Sequence, residues 1–97
     1  MEVRINAIHF EITSQLTEFI NRKADKVARR NPAITYIDFN LRVVKPETAM
    51  NKEVVVKVII PHQNEIVAKK VADSFEEAID TALEAVEQQL EKIKAQK

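Results

Sequence analysis

Glycine is absent from this 97-residue chain. That excludes the phosphate cradles that depend on glycine backbone: a P-loop, a dinucleotide fingerprint and the GXXG clamp of a KH domain. Cysteine is absent as well, which excludes disulfides, a thiol nucleophile and a cysteine-ligated zinc. Turns must be made without glycine. The candidates are Asn31, Asn51 and Asn64, which tolerate left-handed backbone, together with Pro32, Pro46 and Pro61. No apolar run is long enough to span a membrane, and the opening MEVRINAIHF lacks the apolar core of a signal peptide. A cytoplasmic protein is the expectation. Net charge is lacking too, with 15 Lys and Arg against 15 Asp and Glu.

What the chain has is periodicity. From Asp73 onward, Phe75, Ile79, Ala82, Val86, Leu90 and Ile93 recur at spacings of three and four, one face of a helix. Ser74 with Glu77 reads as a capping box, and Lys92 and Lys94 suit the negative end of the helix dipole. Before it, residues 2–9 alternate, with Val3, Ile5 and Ala7 on one side and Glu2, Arg4 and Asn6 on the other. Thr13 or Ser14 is placed to cap a first helix whose apolar stripe is Leu16, Phe19, Ile20, Ala24 and Val27, and Asn31-Pro32 ends it. Residues 34–45 alternate again, with Ile37, Phe39, Leu41 and Val43 opposite Tyr36, Asp38, Asn40 and Arg42. Pro46–Lys52 reads as a loop. Residues 53–60, EVVVKVII, read as a central strand with Val54, Val56, Val58 and Ile60 inward. Residues 61–64 form a turn, and 65–71 a last strand with Ile66 and Ala68 inward. One domain follows, residues 1–97: an α+β two-layer sandwich of order β-α-β-β-β-α, its four-stranded sheet covered on one face by both helices. The open face would carry Val55, Ile59, Val67 and Val71 beside Lys57 and Lys69. That reads as ordinary β-propensity, with weak self-association as the sharper alternative.

The chemistry available is limited. His9 and His62 are far apart in sequence, and no further ligands at a workable spacing suggest a zinc site. No nucleophile has a recognisable base beside it. Neither catalytic residues, metal, cofactor nor small-molecule substrate is expected. Charge is the useful signal, because it is unevenly spread. Between Ser14 and Asn31, five basic residues (Arg22, Lys23, Lys26, Arg29, Arg30) face two acids, whereas Asp73 to Glu91 holds seven acids and no base. Lys23, Lys26 and Arg30 lie close to one line of the first helix, an arrangement that tracks phosphates by displacing condensed counterions. By itself the cluster reads as a solvated helix surface. Asp80, Glu84, Glu87 and Glu91 follow one side of the second helix and also read as a solvated face. No aromatic stacking platform accompanies the basic cluster, and the central strand lacks the Gly and Phe/Tyr pattern of an RRM. RNA binding, if present, would read backbone and shape.

The stretch Ile12-Thr13-x-x-Leu16-x-x-Phe19-Ile20-x-x-Lys23-x-x-Lys26-Val27 resembles the first helix of the ribosome hibernation-promoting factors, also called ribosome-associated inhibitors or sigma-54 modulation proteins. Ala78-Ile79-Asp80 followed by Gln89-Leu90-x-Lys92-x-Lys94 is similar to that family's ending. The resemblance covers essentially the whole chain. It implies a fold like that of a double-stranded-RNA-binding domain. It implies a partner, the small ribosomal subunit, occupied in its messenger and transfer RNA channel through ribosomal RNA phosphates. It also implies inhibition of translation and storage of inactive ribosomes in stationary phase. Carried over residue by residue, Lys23, Lys26, Lys92 and Lys94 are the expected RNA-binding positions, with Arg22, Arg29, Arg30 and Lys69 secondary. The family's long members add a C-terminal dimerising domain; ending at Lys97, this chain is expected to be the short form.

One departure stands out. Ala85 and Gln88 occupy positions where the family usually offers Lys or Arg, and Glu76, Glu84, Glu87 and Glu91 surround them. Docking through the first helix and the Lys92–Lys97 tail, weakened binding, or contact of the acidic helix with a basic ribosomal protein would each accommodate this. The alternative function is a non-catalytic protein-interaction module that keeps the fold and has lost the ribosome.

Overall fold

A computed structural model of the chain describes residues 1–44 and 49–95, the last two by backbone alone. The elements are β1 (Glu2–Ile8), α1 (Ser14–Arg30), β2 (Tyr36–Val43), β3 (Lys52–Ile59), β4 (Ile66–Ala72) and α2 (Phe75–Ala95). The order is β-α-β-β-β-α, as the alternation of apolar periods requires. Of the expected loop Pro46–Lys52, residues 46–48 lie outside the described residues, and Lys52 already belongs to β3.

The sheet order is β1-β2-β3-β4. β1 runs parallel to β2, with Ile5 opposite Phe39, because α1 carries the chain back across the sheet. β2, β3 and β4 form an antiparallel meander, with Phe39 opposite Val56 and Val56 opposite Ala68. The inward residues of the three strands (Ile37, Phe39, Leu41, Val54, Val56, Val58, Ile66 and Ala68) are buried. They pack under Leu16, Ile20, Ala24 and Val27 of α1 and Phe75, Ile79, Ala82, Val86 and Leu90 of α2 in one core. Phe10 stacks on Phe75 with ring centroids 4.9 Å apart, tying the start of α1 to the start of α2.

The caps follow the sequence with one difference. Thr13 is the cap of α1, its hydroxyl accepting the Leu16 N–H at 3.1 Å. The Ser74 hydroxyl accepts the Glu77 N–H at 3.1 Å. The return bond from the Glu77 carboxylate is not formed; that side chain is exposed and solvated instead. The turn chemistry also differs. Among the described residues the left-handed positions are His9, Met50 and His62, with φ of 63°, 56° and 64°, and not the three asparagines. Each costs about 1–2 kcal/mol for a residue with a Cβ. At Met50 the N–H donates to Asp73 Oδ1 at 2.8 Å, which holds that backbone in place.

The open face of the sheet is divided. Its β1–β2 half is polar: Asn6 donates to Asn40 Oδ1 at 3.1 Å and to Asp38 Oδ1 at 3.4 Å, and Arg4 lies 4.1 Å over the Tyr36 ring. Most of its apolar side chains fall on β3 and β4, where Val55 and Ile59 are half-buried and Val67 and Val71 are exposed, with Ile8 exposed at the end of β1.

Candidate nucleic-acid interface

The 3-and-4 spacing of α1 that buries Leu16, Ile20, Ala24 and Val27 turns Lys23, Lys26 and Arg30 toward the neighbouring helix. They line one wall of a shallow groove between the helices. Asp80, Glu84 and Glu87 of α2 line the other wall, with Val27 and Leu83 between. The groove therefore holds three cations and three carboxylates, and its formal charge is zero.

Two ion pairs cross it. Lys23 Nζ lies 3.2 Å from Asp80 Oδ1, and Arg30 Nη1 donates to Glu87 Oε2 at 2.9 Å. Lys26, between them in sequence, is exposed and has no ion pair within 4 Å among the described residues. Along α1, Arg29 pairs with Asp25 at 2.9 Å, while Arg22 lies 5.9 Å from the Phe19 ring centre and Lys23 5.3 Å from it. Lys92 is exposed near the end of α2. Lys94 lies on the α2 backbone, and its side chain is outside the described residues. Lys69 is not brought to this site. It stands on the open face of the sheet, 3.8 Å from Glu53, on the far side of the core from the helices.

The acidic row of α2 is thus not simply a solvated face. Asp80 and Glu87 are the partners of Lys23 and Arg30. The signal was in the sequence: Lys23 and Arg30 are seven positions apart and so are Asp80 and Glu87, two helical turns in each case, so two adjacent helices can pair them in register. Ala85 has a packing reason as well. It is half-buried against the core, and its methyl group packs there. The Glu53 cluster on the sheet carried no signal that spacing alone could reveal.

The partly exposed pairs contribute at most about 1 kcal/mol each to stability. Their larger effect is to neutralise two of the cations that RNA would meet. Asp80→Asn with Glu87→Gln is expected to leave the fold in place and to remove both pairs. RNA binding at near-physiological salt is expected to tighten on the order of tenfold, with a salt dependence steeper by about two. Fluorescence anisotropy across a salt series checks this; unchanged affinity and slope would show that Lys23 and Arg30 do not meet phosphate.

The domain is a two-layer α+β structure with cations on its helix layer, and among its described residues no group of three or more His, Cys, Asp or Glu could hold a metal ion. Neither helix described here is long and apolar enough to cross a membrane. Residues 3–97 match the family described as sigma 54 modulation protein / S30EA ribosomal protein, and the chain belongs to that family of ribosome-associated factors. The fold is similar to that of a ribosomal subunit interface protein from Coxiella burnetii, with a TM-score of 0.86 and 23% identity over 98% of this chain and 99% of that one. It is also similar to the N-terminal domain of Protein Y from Thermus thermophilus, with a TM-score of 0.78 and 17% identity over 96% and 99% of the two chains. At these identities the likeness is one of fold. No curated relative matches the sequence.

Proposed function

We propose that this protein binds the small ribosomal subunit in the cytoplasm and inhibits translation by occupying the channel of messenger and transfer RNA. The reaction is occupancy, with no covalent step. Lys23 and Lys26 on α1 and Lys92 and Lys94 on α2 meet ribosomal RNA phosphates, with Arg22, Arg29 and Arg30 alongside. The observation that carries the reading is the family match over residues 3–97. The geometry supports it through Lys26 and Arg22, which stand exposed on α1 and have no carboxylate partner among the described residues.

A second reading has its own support. The ion pairs Lys23–Asp80 and Arg30–Glu87 cancel charge where RNA would dock, which favours a protein-interaction module that has kept the fold and left the ribosome. Co-sedimentation with purified small subunits, at low and at near-physiological salt, separates the two. The first reading expects saturable binding near one per subunit that weakens with salt. Absence of binding even at low salt would leave the second.

A further inference from the structure

The helix groove is neutral, but the opposite face of the domain is not. On the open face, Arg42 of β2, Lys57 of β3 and Lys69 of β4 rim a shallow depression floored by Val55 and Ile8. Glu53 is the carboxylate in the depression, and Asp38 of β2 stands opposite Lys57 in the strand register, so three cations face two acids and the formal charge of the patch is +1. Glu53 is only 5% exposed although it points to the open side of the sheet. A carboxylate so buried must be compensated. Arg42 does this with two hydrogen bonds, from Nε at 2.8 Å and Nη2 at 3.4 Å, and Lys69 adds its charge at 3.8 Å.

We infer that this depression is an anion-binding surface whose ligand is the phosphate backbone of RNA. Glu53 is the positioning residue. It holds Arg42 by one edge of the fork while Nη1 makes no hydrogen bond among the described residues, and it keeps Lys69 near by charge. Lys57 has no ion pair among the described residues. The register sets Lys57 opposite Val67 and Lys69 opposite Val55, so the two lysines are diagonal neighbours about 7–8 Å apart at the backbone. Arg42 and Lys69 side chains are 50% and 60% exposed, free to reach outward. The identity of the RNA rests on the ribosomal reading; the anion preference rests on this face alone.

Two probes test this: small ribosomal subunits by co-sedimentation, and a fluorescently labelled single-stranded oligouridylate by anisotropy. Lys57→Glu with Lys69→Glu is expected to weaken both at least tenfold, and to lower the salt slope by about two. Lys57→Arg with Lys69→Arg is expected to retain binding. The neutral pair Lys57→Gln and Lys69→Gln, which sets no like charge beside Asp38, is expected to lose binding in the same direction by less. Binding of both probes at wild-type strength by the Glu and Gln pairs would overturn the inference and leave the ribosomal reading intact. So would a self-association of the wild type that the Glu pair abolishes while RNA binding is unchanged, since the face would then join copies of the chain. Wild-type protein that misses subunits but binds oligouridylate through the two lysines would remove the ribosomal reading and keep the inference. Wild-type protein that binds neither would remove both.

Discussion

Lys23→Glu combined with Lys26→Glu is expected to weaken binding to small ribosomal subunits on the order of a hundredfold at near-physiological salt. The size comes from where the two residues stand. The interhelix groove is neutral with three cations against three carboxylates, and the double reversal takes it to −4. Lys26 is exposed and has no ion pair among the described residues, so a phosphate contact there would displace no internal partner. Lys23 is 35% exposed and must exchange Asp80 for phosphate, so it contributes less than Lys26; the single variants should rank in that order. The salt slope should fall by about two. The fold should survive, because an exposed pair of this kind contributes at most about 1 kcal/mol. Circular dichroism controls for folding, and co-sedimentation reads the affinity. Wild-type binding by the folded double variant would remove α1 from the interface.

Phe39→Ala is expected to destabilise the domain by about 3–5 kcal/mol. Phe39 is fully buried on a central strand, between Ile5 of β1 and Val56 of β3. It heads the fully buried side chains by volume. Both helices lie over the inner face of this sheet, so the space left by the ring cannot close without moving an entire layer, and the cavity contribution adds to the lost transfer free energy. A domain of this size has roughly 5–15 kcal/mol in hand, so the variant should stand close to its unfolding threshold. The midpoint of thermal unfolding should fall by tens of degrees, at roughly 4–8 °C for each kcal/mol. Urea denaturation followed by circular dichroism reads the difference directly. A loss below about 1 kcal/mol would mean that the ring is not where the core closes. Ribosome binding, measured well below the new midpoint, should be unaffected, which separates this variant from the lysine reversals.

The elements were legible because each had a clean period. Leu16, Ile20, Ala24 and Val27 could only share a helix face, and Ile37, Phe39 and Leu41 only a strand face. Boundaries moved by one or two residues, as they must where hydrogen bonding rather than apolar pattern decides the end. Turn chemistry was less legible. Without glycine, the left-handed positions had to fall on residues with a Cβ. Strand pairing and the Met50–Asp73 bond chose His9, Met50 and His62 over the asparagines that local preference favours.

The sequence by itself determined the fold class, the inward faces and the basic stripe of α1, because each is set by neighbours within about one helical turn or by strict alternation along a strand. Tertiary structure alone decided what those charges meet. Side-by-side packing of two helices set Asp80 against Lys23 and Glu87 against Arg30. Pairing of three strands gathered Arg42, Glu53, Lys57 and Lys69 from separate stretches onto one patch of the open face. Coulomb interactions depend on distance through space, and residues fifty-seven positions apart in the chain, such as Arg30 and Glu87, become partners only once the fold has closed.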